Sequence, residues 1–375
     1  MKIALISNLI PPYRYSSHQL LAKMVEDTGG AFRIFRTHKT EPQRSWSDPS
    51  GRFSQIILPG FHIPLGENRS LALTRSPASH LAHFAPDIVL IAGFGPAMWL
   101  AHKWCRARNI PYIVRFDGWA ASDIAFKNPI RRKMRRDILA HAHAGIAAGT
   151  PGADWFIDHG IAANQVSIIP IAPSFRPPNN LPASTSRPHD LLSCGRPTDA
   201  KGFDLFLILA AKLWQSGVVK SIAIAGIGPA DFKTVQAKIN QAGIGEITTL
   251  IPAVPADQLA PIYGRAKLFC LPSRSDAYGV AVVDAISCQT VSLASDQTGC
   301  AHDMLVPGET MLPLPSSPAG YGYDAWVNAA TKLLSTPDYY AHHLARQTAA
   351  ITGNAPENIA RQTLVACQKV LLMRA

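Results

Sequence analysis

No apolar run in this 375-residue chain reaches the roughly 18 residues needed to cross a bilayer as a helix, which excludes a membrane-spanning helix. The first residues, Met1-Lys-Ile-Ala-Leu-Ile-Ser7, are apolar for too short a stretch to be a signal peptide and read as a first strand. The six cysteines (105, 194, 270, 288, 300, 367) lie far apart and form no CxxC pair, and reduced thiols in a cytosolic protein are the simplest reading. Walker, HExxH and G-x-S-x-G motifs are absent, which removes P-loop, zincin and hydrolase-elbow chemistry. A D-x-D pair is missing too, so a metal-bridged diphosphate is not expected. His80 with His83 and His141 with His143 lack further ligands, and no metal site is expected from them.

Acidic residues are scarce in the first half. Residues 1–173 carry 20 Lys/Arg against 11 Asp/Glu, a balance of +9, whereas residues 174–375 carry 16 against 14, a balance of +2. A basic half points to an anionic partner, a membrane surface or a phosphorylated ligand. Nucleic acid is not expected, because aromatics are not interleaved with the basic residues.

What is present is alternation. Short apolar strands are predicted over 2–7, 32–35, 55–58, 88–92, 112–115, 144–148 and 166–169, and again over 191–194, 221–225, 248–251, 268–271 and 291–294, with helical spacing between them. The Pro-rich stretch 174–189 reads as a linker. The expected organisation is an amino-terminal Rossmann-like domain over 1–173, that linker, a second Rossmann-like domain over 190–350, and a carboxyl-terminal helix over 351–375. Two doubly wound α/β domains facing a central cleft are the expected fold.

The densest chemistry lies in Leu271-Pro-Ser-Arg-Ser-Asp-Ala-Tyr-Gly-Val-Ala-Val-Val-Asp-Ala285. A strand should end at 271 and a helix should run over 280–287. Asp276 and Gly279 then fall in the connecting loop, where backbone N–H groups can meet an anion. Asp284 would sit a turn into the helix, facing the same crevice. One acid beside a phosphate cradle and a second a turn deeper suit a sugar nucleotide, the first for sugar hydroxyls and the second for the ribose. In Cys194-Gly-Arg-Pro-Thr-Asp-Ala-Lys-Gly-Phe203, Arg196 and Lys201 straddle a tight loop before a helix predicted over 203–214. Two cations there suit a diphosphate; a plain surface loop is the competing reading. Ala225-Gly-Ile-Gly-Pro-Ala230 and Ala92-Gly-Phe-Gly-Pro-Ala97 miss the sixth position of a dinucleotide fingerprint, at Asp231 and Met98, and read as tight strand-to-helix turns.

In order along the chain, Gly195-Arg196, Lys201-Gly202, Ala225-Gly-Ile-Gly228, Ile251-Pro-Ala-Val254, Asp257-Gln-Leu-Ala-Pro-Ile-Tyr263, Asp276 with Gly279, Asp284-Ala285 and Thr298-Gly-Cys-Ala-His-Asp303 resemble the retaining glycosyltransferases of family 4, with the GT-B fold. The resemblance implies that Arg196 and Lys201 bind the nucleotide diphosphate, Asp276 the donor sugar, and Tyr278, Gly279 and Val280 the phosphates through backbone N–H groups. It also implies that Asp284 takes the ribose and that Ala253 and Val254, in the 251–254 segment, cradle the base. Three positions depart from it. Asp stands at 276 and 284 where the family has Glu, Asp117 in Arg115-Phe-Asp-Gly-Trp119 replaces the usual histidine, and Asn8-Leu-Ile-Pro-Pro-Tyr-Arg14 lacks the common glycine pair.

The implied activity is transfer of a sugar, with retention and without metal, from a UDP- or GDP-linked donor that is substrate rather than cofactor. The first domain would bind the acceptor and the second the nucleotide-sugar, with Asp117 and Arg115 orienting bound groups. The segment Ile130-Arg-Arg-Lys-Met-Arg-Arg-Asp-Ile138 should form a helix with Ile130, Met134 and Ile138 on one stripe and Arg131, Arg132, Arg135 and Arg136 opposite. It reads either as a scaffold helix or as a membrane-surface element. The second reading makes the enzyme peripheral on the inner face of the plasma membrane, with a polyprenyl-diphosphate-linked saccharide as acceptor in surface or exported polysaccharide synthesis. The alternatives are a small soluble acceptor, or a nucleotide-sugar-binding protein of the same fold without turnover.

Overall fold

In the computed structural model, which describes residues 1–39, 53–64, 70–74, 76–123, 128–315 and 322–373, each apolar run becomes a parallel strand. The chain divides into two units, Met1–Ala172 with Asn354–Ala375, and Pro173–Gly353.

The first unit contains β1 (Lys2–Ser7), α1 (Tyr15–Glu26), β2 (Ala31–Arg36), β3 (Gln55–Ile57), β4 (Gly60–Pro64), β5 (Ser70–Thr74), α2 (Ala78–Phe84), β6 (Ile88–Ala92), α3 (Pro96–Ala107), β7 (Tyr112–Phe116), α4 (Ala120–Asp123), α5 (Pro129–Leu139), β8 (Ala144–Ala147), α6 (Thr150–Asp158) and β9 (Val166–Ile168). Its sheet has the order β3-β2-β1-β6-β7-β8-β9. The chain winds outward from β1, then crosses to β6 and winds the other way, so the direction reverses between these two strands. Alternate residues serve opposite faces. Ala4, Ile6, Val89, Ile91 and Val114 pack with α3, α5 and α6, while Ile3, Leu5, Ile88, Leu90 and Ile113 pack with α1 and the last helix. Burial on both faces is why these strands read as unbroken apolar runs. Each Ile, Leu or Val so buried contributes about 1.5–3 kcal/mol. The antiparallel pair β4–β5 was not anticipated from the sequence.

The second unit contains β10 (His189–Cys194), α7 (Phe203–Gln215), β11 (Ile222–Ile227), α8 (Phe232–Gln241), β12 (Thr248–Pro252), α9 (Ala260–Gly264), β13 (Ala266–Leu271), α10 (Val280–Ser287), β14 (Val291–Ser295), α11 (Ala301–Met304), β15 (Met311–Leu312), α12 (Tyr323–Ser335) and α13 (Pro337–Ala350). Its sheet order is β12-β11-β10-β13-β14-β15, with the reversal between β10 and β13. Strand β15 is too short to have shown in the pattern.

The stretch 174–189, expected as a linker, falls within the second unit. Arg187 is buried there and donates to the carbonyls of Ala266 (2.9 Å), Gln289 (3.0 Å) and Cys288 (3.3 Å) and to Thr290 Oγ1 (2.8 Å). A guanidinium with five fixed donors satisfies several carbonyls at once, and this ties a Pro-rich segment into the core. The expected carboxyl-terminal helix forms as α14 (Pro356–Leu372). Its Ile359, Ala360, Cys367 and Val370 join Leu21, Ala22 and Val25 of α1 in one apolar cluster, so it belongs to the first unit; residues 374–375 of the expected segment lie outside the described residues. Asn354 anchors the return by donating to Ile171 O at 2.7 Å.

Helix α5 forms where expected, capped by Asn128, whose side chain accepts from Ile130 and Arg131 N–H. Its faces differ from the expected ones. Ile130 is 68% exposed, whereas Arg135 is buried, ion-paired with Asp123 and lying over the rings of Phe94 and Trp155. Aromatic faces and one carboxylate stabilise this cation, so it faces the protein while Arg132, Lys133 and Arg136 face water.

Candidate active site

In the second unit, the loops after β10 and β13 leave the sheet on either side of the reversal point, where doubly wound sheets bind ligands. The two loops are bonded directly. Arg274 N–H and Ser275 N–H both donate to Ala200 O, at 2.9 and 3.2 Å. Arg274 also grips Asp204 of α7 with both arms, at 2.6 and 2.7 Å, and this contact holds the Asp204 carboxyl below its usual range. Sequence reasoning passed over Arg274, although it lies inside the richest motif.

Across this junction Lys201 Nζ and Asp276 Oδ2 form an ion pair. The loop carrying Asp276 is fixed from behind, because Asp276 N–H donates to Gln297 O (3.0 Å) and Cys300 N–H to Tyr278 O (2.7 Å). Gly279 begins α10 at φ +94°. A Cβ there would collide with Thr298 Cγ2, so only glycine turns this loop into the helix so tightly. Gly202 does the same at the entry of α7, with φ +63° and Pro272 O where a Cβ would be. Val280 opens α10, and no side chain caps that helix, which leaves its positive end for a ligand. Arg196 is half-buried in the loop before α7.

Asp284 keeps different company from Asp276. It is buried, and its Oδ1 accepts Ser174 N–H at 2.7 Å. Burial pushes its carboxyl up to about 7, against the pull of the Ser174 N–H and hydroxyl. Ser174 was hidden by the linker reading. Ala253 follows β12 and donates its N–H to Ile227 O at 2.9 Å, putting Ala253 and the half-buried Val254 at the carboxyl ends of β11 and β12. Asp117 lies in the first unit, where Arg14 Nη2 donates to its Oδ1 at 2.6 Å. Arg14 is a partner that no motif announced. Among the described residues, no group of three or more His, Cys, Asp or Glu is arranged to hold a metal.

With this geometry in hand, the chain was compared with known proteins. Residues 182–347 match the family described as glycosyl transferases group 1, and residues 17–172 match the glycosyl transferase 4-like domain. A D-inositol 3-phosphate glycosyltransferase of Gordonia bronchialis is 31% identical over 99 residues, 26% of this chain. The chain spans only 20% of that relative's length, and 36% of the Mycobacterium avium protein of the same name. Among solved structures, Anabaena HepE in complex with UDP superposes with a TM-score of 0.75 at 12% identity, covering 98% of this chain and 100% of that one. The lipopolysaccharide outer core galactosyltransferase WaaB superposes with a TM-score of 0.69 at 16% identity, covering 98% and 99%.

Proposed function

Since the chain belongs to the family 4 glycosyltransferases, with the GT-B fold, we propose that it transfers a sugar from a UDP- or GDP-linked donor to a hydroxyl of a lipid-linked saccharide, with retention and without metal, during surface polysaccharide assembly. The observation that carries this reading is the Lys201–Asp276 pair joining the two loops beside the uncapped start of α10. As the bond between the sugar and the diphosphate breaks, negative charge grows on the leaving phosphate. In this reading Arg196, Lys201 and the N–H groups of Gly279 and Val280 stabilise that charge, and preorganised donors of this kind are the largest catalytic lever in many enzymes. Asp276 holds sugar hydroxyls, Asp284 the ribose, and Ala253 with Val254 the base. The acceptor oxygen bonds to the anomeric carbon on the face the phosphate leaves, and its proton passes to a phosphate oxygen. Asp117, held by Arg14, orients the acceptor.

UDP bound to HepE supports a uridine donor, and the outer-core substrate named for WaaB supports a surface glycolipid. Exposed Ile130 with Arg132, Lys133 and Arg136 on α5 supports docking on the anionic inner face of the plasma membrane, where each cation is worth about 1 kcal/mol. The test is a thermal-shift panel of UDP-, GDP- and ADP-sugars in chelator, followed by NMR of the product anomer. A donor at about 100 times its Kd stabilises the fold by about 2.7 kcal/mol. One responder that yields a product of retained configuration is expected. Silence from all three classes in folded protein rejects the donor site, and binding without any turnover favours the non-catalytic alternative.

A further inference from the structure

The first unit carries a second concentration of charge at the carboxyl edge of its sheet. Arg115 lies on β7 two residues after Ile113, which packs with α1 and α14, so strand alternation turns Arg115 toward the same helices. Arg14, immediately before α1, reaches Asp117, two residues beyond Arg115. Both arginines are buried, at 6% and 5% exposure. Among the described residues, Arg115 Nε and Nη2 and Arg14 Nη1 have no hydrogen-bond partner. Arg14 pairs with the Asp117 carboxylate, a second buried guanidinium stands two residues before that acid at Arg115, and no side chain caps the start of α1. His18, in the first turn of α1, is held neutral: burial and Arg14 push it down to about 3, against the opposing pull of Asp117.

Unpartnered N–H groups on a buried cation are expensive. The cost of burying a donor without an acceptor is greater still on a charged group. A protein retains such a cost where a ligand removes it. The ligand must be anionic, to match the excess cation, and must offer several acceptor oxygens, to match two forks and a helix start. A phosphoryl group has these properties. Ligands of doubly wound sheets bind at the reversal point, here between β1 and β6, and the loop after β1 leads to Arg14 while β7 borders β6.

We propose that Arg14 and Arg115 bind a phosphoryl group carried by the acceptor. This rests on the transferase reading above and narrows its acceptor to a phosphorylated one, either a soluble sugar phosphate or a lipid-linked diphosphate saccharide.

The test begins with inorganic phosphate titrated into the full-length protein while a saturating nucleoside diphosphate fills the donor site. Saturable binding is expected, weakened about tenfold or more in Arg115→Gln, as for loss of one charge-assisted contact, and less in Arg115→Lys, which keeps the charge without the fork. Thermal midpoints of each variant confirm folding. Absence of phosphate binding, or equal binding by wild type and both variants, overturns the proposal. Next, a soluble hexose phosphate and a short-chain polyprenyl-diphosphate monosaccharide are each compared with the dephosphorylated counterpart as acceptors. At least a hundredfold preference in kcat/KM for one phosphorylated form is expected, and the form that reacts identifies the source. Equal use of a phosphate-free counterpart overturns the proposal. Nucleotide-sugar binding that persists in these outcomes leaves the donor reading standing; its absence in wild type fails that reading separately.

Discussion

Lys201 and Asp276, 75 residues apart in the chain, are ion-paired between the two loops at the reversal point of the second sheet. The cation assigned to the diphosphate is therefore held, before donor arrives, by the acid assigned to the sugar. On the proposed roles, donor binding exchanges one anion for another at the ammonium and frees Asp276 for hydroxyls at the same moment.

Two outcomes follow from that exchange. Lys201→Met should lower kcat about 10²–10³-fold, as for loss of one group stabilising transition-state charge. Asp276→Asn should strengthen binding of the bare nucleoside diphosphate, because Lys201 loses its competitor, while weakening the nucleotide-sugar. Calorimetric titration of both ligands against both variants checks this. Equal weakening of the two ligands by Asp276→Asn would show that Asp276 does not select for the sugar.

Asp284 gives a pH dependence of definite sign. Its folded value of about 7 lies above its ordinary 3.8, so between those limits the folded state holds a proton that the unfolded state has released. Its contribution to stability is complete below about pH 4 and is lost as pH rises through about 7, at about 1.4 kcal/mol per pH unit. Unfolding midpoints at pH 5 and pH 8 should fall more in wild type than in Asp284→Asn. On the proposed ribose role, hydroxyls donate to the ionised carboxylate, so donor affinity should rise as pH passes 7. Affinity that stays level from pH 6 to pH 8 would remove the ribose contact.

The sheets were legible because buried parallel strands leave uninterrupted runs such as Ile3-Ala-Leu-Ile6, and α10 because Val280 to Ser287 is apolar on nearly every side. The loops that join at the reversal point stood out because glycine, arginine and aspartate keep fixed offsets there. Arg187 and Ser174 were not, since their partners lie 79 to 110 residues away and Pro-rich composition says nothing of long-range hydrogen bonds. Arg135 misled for a related reason. Helical spacing marks a face, but cannot tell that Phe94, Trp155 and Asp123 wait on it.

Arg187 therefore carries a stability prediction. Arg187→Ala leaves the carbonyls of Ala266, Gln289 and Cys288 short of their donor and should cost about 3 kcal/mol or more. Arg187→Lys keeps the charge but not the fork, and should recover part of that loss. Urea unfolding followed by loss of nucleotide protection reads the second unit. A change below about 0.5 kcal/mol, the level of ordinary surface substitutions, would return 174–189 to the status of a linker.

On the proposed docking, helix α5 carries lipid-facing positions and a structural one side by side. Ile130→Asp and Arg132→Glu alter exposed positions. Each should reduce sedimentation with anionic liposomes, the second by about thirtyfold for a change of two charges at about 1 kcal/mol each, while leaving the thermal midpoint near that of wild type. Arg135→Glu should do the reverse of a surface change. It sets a carboxylate against Asp123 and removes a cation from the rings of Phe94 and Trp155, so the midpoint should drop sharply whether or not lipid is present. Removing a buried ion-pair partner costs about 3–5 kcal/mol. If Ile130→Asp and Arg132→Glu sediment like wild type, or if wild-type binding is indifferent to anionic lipid, α5 is a scaffold helix and the enzyme works away from the membrane.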